Sequence, residues 1–267
     1  MQKSETKEST GMTFLVKTQL SIEKLRVGVQ VRNTHLAKLN RIDPTTCELE
    51  TELQNLEKFI DDKVATQVDL HPAEPWFSQI NGIGQENIAK VIGLIDIEKA
   101  PYISSLWKWA GMHVVDGKSP RRKKGQKIEY NSQLRTMCWR LVTSIMRAQS
   151  GPTDKVPTRK EGKYYQYYIT QKNAEISKLH RAKVLIVPAS ELPTRIVKGK
   201  KEKYEPEGMI SEGHVDNRAK RKMIKLFLSH LWEVWRKAIG LPITKPYELE
   251  YGTHKHYYDP WDFVDKK

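Results

Sequence analysis

Residues 80–95 read INGIGQENIAKVIGLI. The opening Ile80-Asn81-Gly82-Ile83-Gly84 has the hydrophobic-x-Gly-hydrophobic-Gly form of a helix-hairpin-helix turn, in which glycines permit positive φ and close approach of backbones. The helix that follows, over 86–95, opens with free backbone N–H groups, and such an end can hold a phosphate. The same glycines also serve tight helix packing with no ligand, so both uses of Gly82 and Gly84 stay open. Downstream, 96–111 reads as a loop and a short helix over 104–110. Its Trp107 and Trp109 are assigned to core packing, since tryptophans two apart on a helix point in different directions and one usually faces inward. A helix over 131–148 closes the segment, with Leu134, Met137, Cys138, Leu141, Ile145 and Met146 on its core face and Arg135 and Arg140 flanking it. Cys138 reads as a small buried hydrophobe. Residues 76–150 are therefore a helical domain.

Between those helices lies Lys118-Ser119-Pro120-Arg121-Arg122-Lys123-Lys124-Gly125-Gln126-Lys127, six basic side chains with no acidic residue among them. A charge run is often a solvated loop. Flanked by patterned helices and shaped by Pro and Gly, this one is read as a phosphate-binding loop.

Upstream, Leu15, Ile22, Leu25, Val29, Leu36 and Leu39 mark one amphipathic helix over 15–39. Asp43-Pro44-Thr45-Thr46 breaks it, Thr being able to cap the next helix. That second arm carries Leu49, Leu53, Leu56, Ile60, Val64 and Val68 as a narrow stripe between charges, a coiled-coil pattern. A dimerising helical hairpin over 13–70 is expected, with a hairpin inside a monomer as the alternative. The prolines of His71-Pro72-Ala73-Glu74-Pro75 exclude a continuous helix and make a stiff connector.

Downstream, 151–161 is Pro/Gly/Lys-rich and read as mobile. A third region, 163–267, is basic, helical and rich in aromatics. Tyr164-Tyr165-Gln166-Tyr167-Tyr168 opens a stretch through Arg181 that mixes rings with Lys163, Lys172 and Lys178, a combination suited to single-stranded nucleic acid, or equally the edge of an amphipathic helix. Arg195, Lys198, Lys200, Lys201 and Lys203 form an exposed basic run. A helix over 215–239 has Ile224, Phe227, Leu228, Leu231, Trp232 and Trp235 on one face, and Gly240-Leu241-Pro242 stops it. Arg218, Lys220, Arg221, Lys222 and Lys225 crowd its first turns and oppose the helix dipole, a liability that a partner phosphate would relieve. His254 and His256 are read as exposed or packing residues rather than metal ligands.

The charge balance agrees with this distribution. Of 267 residues, 46 are Lys or Arg and 32 Asp or Glu, a net charge of +14 that points to a polyanionic partner. With 38% hydrophobic residues the chain can bury a core. Two cysteines, Cys47 and Cys138, without partners at metal-ligand spacing, argue for a reducing compartment and against a disulfide framework. The chain has no apolar run of membrane-spanning length and no secretory h-region, so a cytoplasmic protein with no membrane partner, no metal and no cofactor is expected.

Gly82-Ile83-Gly84, then Tyr102-Ile103-Ser104-Ser105-Leu106 leading to Trp109-Ala110-Gly111-Met112, then a basic loop, then Asn131-Ser132-Gln133-Leu134-Arg135, resembles the C-terminal domain of RNA-guided insertion-sequence transposases. Over 99–111 and 125–140 the chain is also similar to the Nop domain of box C/D ribonucleoproteins, where a coiled coil precedes a helical RNA-binding domain. The resemblance covers roughly 76–150. It departs from the transposases in two places. Their RuvC-like domain with four acidic metal ligands is not expected in the mostly helical residues 1–75. Their nucleophilic serine follows the Ala-Gly helix in a Ser/Gly-rich loop, where this chain has Val114-Val115-Asp116-Gly117-Lys118, and Ser119 lacks an evident general base. What remains is most similar to the stand-alone Tas proteins of tandem interspaced guide RNA systems, microbial or viral-encoded. That resemblance implies a homodimer holding a guide RNA that pairs with target DNA, without catalysis by the protein.

The expected fold is thus mainly α. The expected RNA-binding residues are Lys118, Arg121, Arg122, Lys123, Lys124, Lys127, Arg135, Tyr164, Tyr165, Arg218, Lys220, Arg221, Lys222 and Lys225, with Gly82 and Gly84 shaping a phosphate-facing turn. A strand-transfer enzyme using Ser119 or Ser132 as nucleophile is the alternative, and an RNA chaperone or ribonucleoprotein scaffold with no DNA step a third.

Overall fold

The computed structural model describes residues 5–115, 117, 119–122, 124–153, 156–244 and 257–265, with side chains from residue 11 onward. It is mainly helical: eight α-helices make up 59% of it. Helix α1 (Glu5–Lys38) and α2 (Pro44–Asp69) form an antiparallel hairpin. The one-turn α3 (Glu74–Phe77), then α4 (Gln85–Ile92), α5 (Ile103–Trp109) and α6 (Ser132–Gln149), follow. The C-terminal region adds α7 (Lys163–Arg181), β1 (Leu185–Val187), β2 (Thr194–Val197), β3 (Lys200–Lys203), β4 (Met209–Ser211), α8 (Glu212–Ala238) and a 3-10 turn, Pro260–Phe263. Among the described residues no helix is long and apolar enough to cross a membrane.

The hairpin differs from the sequence expectation in two respects. First, α1 starts ten residues sooner, and at 1.5 Å per residue its 34 residues span about 50 Å. Its inward face is Met12, Val16, Gln19 and Ile22, while Leu25 and Leu39 of the expected stripe are exposed. Second, much of the seam is polar. Gln19, Arg26 and Asn33, one heptad apart, hydrogen-bond Asp61, Glu57 and Glu50 of the antiparallel partner. A reading that scores apolar side chains misses such a ladder. The cap of α2 is Asp43 rather than a threonine: its carboxylate accepts from Thr46 N and from Arg32 Nη2 (3.1 Å), and the Arg32 guanidinium holds that carboxyl below its usual range.

One apolar core then runs from Met12 to Phe263. Ile60, Val64 and Val68 on the lower half of α2 join it, whereas Leu49, Leu56 and Phe59 higher up face solvent. Lys90 of α4 is 1% exposed and bridges Glu23 of α1 (3.0 Å) and Glu86 (2.7 Å), with Arg140 of α6 on the other Glu23 oxygen. Burial opposes the charge on Lys90, and its hydrogen bonds to the two carboxylates outweigh that and raise its pKa.

At the far side, α8 is the central post. Trp76 of α3 stacks on Phe227 (5.6 Å between rings) and donates to Pro260 O, clamping the C-terminal turn. Trp232 Nε1 donates to Ala100 O (2.7 Å), and the buried Arg236 donates to Ile97 O and Pro242 O. Asp265 accepts from Asn81 N, Gln149 Nε2 and Lys163 N, so the chain's end ties the 80–84 turn to α6 and α7.

The strands are the element type absent from the sequence expectation. The parallel pair β1–β4 covers a satellite core of Leu179, Ile210 and Val215. The basic run folds as the hairpin β2–β3, turned by Lys198 and Gly199 at φ +50° and +75°, the mirror-image turn that right-twisted strands favour. Segments of three or four residues carry too little alternation to announce themselves.

Candidate nucleic-acid interface

The basic loop is organised from α6. Asn131 caps that helix, its Oδ1 accepting from Gln133 N and Leu134 N. One turn in, Arg135 reaches back across the loop, donating to Pro120 O and Ser119 Oγ at 2.8 Å each, and its guanidinium lies 5.2 Å from the Tyr130 ring centre. Gly111, at φ +65°, lets this happen, because a Cβ there would stand 2.8 Å from Tyr130 Cδ2 and 3.1 Å from Arg135 Cδ. Arg135 therefore spends its donors on loop shape.

The residues it positions are free of such duties. Arg121, Lys124 and Lys127 are exposed and pair with no carboxylate among the described residues, and Arg122 makes only a 3.4 Å contact with Ser132 Oγ. Lys118 and Lys123 lie outside the described residues. On α8, Arg221 is half-buried and pairs with no carboxylate among the described residues. Burial first, and the like charge of Arg135 second, hold its pKa below the usual arginine range. One turn on, Lys225 sits 3.8 Å over the Trp107 ring, whose Nε1 donates to Lys225 O. Arg135, which holds the loop, and Arg221 of α8 thus stand close enough for their charges to act on one another, a juxtaposition that no spacing along the chain reveals.

Other expected site residues are placed differently. Tyr164 is fully buried, its hydroxyl 2.7 Å from His230 Nδ1 and its ring against Phe227 and Phe263. Burial pushes the phenol well above its ordinary pKa, and a ring with no exposed face cannot stack on a base. Tyr165 is half-buried and leans on Tyr168. Three of the α8 cations are neutralised internally: Arg218 by Glu175 (2.7 Å), Lys220 by Asp216 (2.5 Å) and Lys222 by Glu175 (3.7 Å). The liability read at this helix start is therefore relieved within the chain for these three, with carboxylates from α7 and from α8 itself.

The 80–84 turn is also corrected. Gly82 (φ +90°) faces α6 rather than solvent, and a Cβ there would lie 2.7 Å from Ile145 Cα and 2.8 Å from Ser144 O. Gly84 is exposed at the start of α4, but Glu86 lies in that first turn and Gln85 Nε2 donates to Asp69. Carboxylates at that end repel a phosphate. Packing, the other use open for these glycines, is the one the structure displays at Gly82, whereas a Cβ at Gly84 would meet no neighbour.

Ser119 Oγ accepts from Arg135 and Ser132 Oγ from Arg122; among the described residues neither hydroxyl bonds a histidine or carboxylate. Cys138 is buried and its thiol pushed up to about 12 by that burial, as a packing cysteine should be. His254 and His256 lie outside the described residues, and among the described residues no group of three or more His, Cys, Asp or Glu side chains is placed to hold a metal.

Residues 75–156, from α3 through the basic loop to just past α6, match the model of the Transposase IS116/IS110/IS902 family. No curated protein and no solved structure matches the chain. The segment that carries the loop and its organising helix is transposase-related.

Proposed function

We propose that the protein binds a structured guide RNA as a homodimer, and that base pairing by this RNA, rather than side chains, selects target DNA. The observation that carries the proposal is the surface formed by Arg121, Arg122, Lys124, Lys127 and Arg221 around the Arg135 anchor on a transposase-related segment. Cations that a carboxylate could have neutralised, as happens at Arg218, are here left without one among the described residues. Guanidinium and ammonium groups of this kind, exposed at the loop and half-buried at Arg221, read phosphates and A-form shape without reading sequence, which suits a protein that delegates sequence to pairing. Support for a second copy comes from the outer hairpin, where Leu25, Val31, Leu39, Leu49, Leu56 and Phe59 are between 45% and 66% exposed. A partner hairpin would bury them. Sequencing the RNA that co-purifies with the full chain tests the proposal. A defined transcript with a segment complementary to a DNA target is expected, and a random sample of cellular RNA would contradict it.

A second reading is favoured by the same family match. Ser119 sits in the matched segment with its hydroxyl held by Arg135, a cation that would stabilise an alkoxide, so a strand-transfer enzyme with this nucleophile is the rival. Incubation with labelled DNA and a divalent metal separates the two: covalent adducts lost in Ser119→Ala favour the rival, and none are expected here.

A further inference from the structure

Beside the basic loop, α1, the 94–100 segment and α5 enclose a groove of about 610 Å³. This lies within the ~300–1,000 Å³ typical of small-molecule sites. Its floor is apolar, from Leu94, Ile95 and Leu106, all 5% exposed or less. One wall is Trp109, 45% exposed, so the outward-facing tryptophan of α5 is not the core residue expected from sequence. Its Nε1 donates to Leu94 O at 3.1 Å, which fixes the ring in place.

The rim carries three lysines. Lys99 is paired with Asp96 (2.7 Å) and Lys108 with Glu129 (3.1 Å). Lys17 of α1 is exposed and pairs with no carboxylate among the described residues. Asn131 also lines the groove; its Oδ1 is committed to the α6 cap, which leaves the amide N–H groups as donors. An apolar groove with a pinned indole, an exposed lysine and an amide donor in its lining suits a planar, hydrogen-bonding ring bearing a phosphate.

We propose that this groove takes one unstacked nucleobase, its ring on Trp109 and its phosphate beside Lys17. The base belongs either to the RNA on the neighbouring loop, in which case the inference rests on the RNA-binding proposal, or to a free mononucleotide, in which case it does not. Stacking a base on an aromatic ring changes affinity by about tenfold or more when the ring is removed.

The test uses the full chain with two probes: a short oligouridylate carrying 5-iodouridine, and adenosine monophosphate. Irradiation is expected to cross-link the oligonucleotide to the peptide containing Trp109. Trp109→Ala should weaken its binding about tenfold, Trp109→Phe should retain most of it, and Lys17→Glu, a surface change that leaves the core intact, should weaken it several-fold. Saturable binding of adenosine monophosphate that Trp109→Ala abolishes, with no oligonucleotide bound, would keep the groove as a base site and assign it to a free mononucleotide rather than to an RNA strand. Oligonucleotide bound with no cross-link at Trp109, unchanged affinity in Lys17→Glu and Trp109→Ala, and no uptake of the mononucleotide would overturn the groove proposal while leaving RNA binding intact.

Discussion

Lowering the pH from 7 to 5 should remove about 4 kcal/mol of folding stability, with the half-buried His71 and the buried His230 as the cause. Burial lowers the pKa of His71 from 6.5 to about 4. It lowers that of His230 from 6.5 to about 3, only partly offset by the Tyr258 carbonyl. His71 Nδ1 accepts from Ala73 N at 3.1 Å, so protonating that nitrogen breaks the bond. His230 is held between the Tyr164 hydroxyl and Tyr258 O, with its ring 4.9 Å from that of Phe263. Both folded pKa values lie below the unfolded one, so between them the unfolded chain binds more protons. Stability is full above pH 6.5, falls as the pH drops toward the folded values, and levels off below them. At ~1.4 kcal/mol per pH unit for each ring, the interval from 6.5 to 5 costs about 2 kcal/mol apiece. Glu23, Glu175 and Asp216 contribute little there, because their lowered pKa values move their losses below the ordinary carboxylate range. Urea titrations at the two pH values measure the difference. His71→Phe should lose about half as much as the parent, and equal stability of the parent at both values would contradict the assignment.

Replacing Lys90 with methionine should destabilise the fold by about 3 kcal/mol, since removing one partner of a buried ion pair leaves the other charge desolvated. Glu23, 18% exposed at its side chain, would keep only Arg140, itself half exposed. The double variant Lys90→Met with Glu23→Gln removes the stranded charge and should recover part of the loss, so the two changes are non-additive. Thermal or urea unfolding of the four proteins reads this directly. A single Lys90→Met variant as stable as the parent would mean that α1 is not held to α4 by charge.

Lys90 also shows where sequence reasoning stops. In the helical pattern of 86–95 it looks like a surface residue, and only α1, arriving from 67 positions away, makes it interior. The same limit explains Tyr164, Arg218 and Lys220. Each belongs to a run that reads as solvent-facing and aromatic or basic; His230 and Glu175 claim Tyr164 and Arg218 across the α7–α8 packing, and Asp216 claims Lys220 from one turn earlier on α8. By contrast α6 and α8 are legible to within about three residues at each end, because long amphipathic periods and local signals such as Asn131 and the Gly240 stop are written in neighbouring residues. The candidate site was half legible. The basic loop stands out by composition, whereas Arg221 beside Arg135 and Trp109 in its groove depend on which helix faces meet.

The central claim is that the cations left without carboxylates hold an RNA backbone, and salt dependence measures this most directly. Each lost phosphate contact on a single strand flattens the slope of log affinity against log salt by about 0.7. With the co-purified RNA, alanine at Arg121, Arg122, Lys124, Lys127 and Arg221 together should flatten it by about 3.5, while alanine at the internally paired Arg218 and Lys220 leaves it nearly unchanged. Equal slopes for the parent and the five-residue variant would contradict the account.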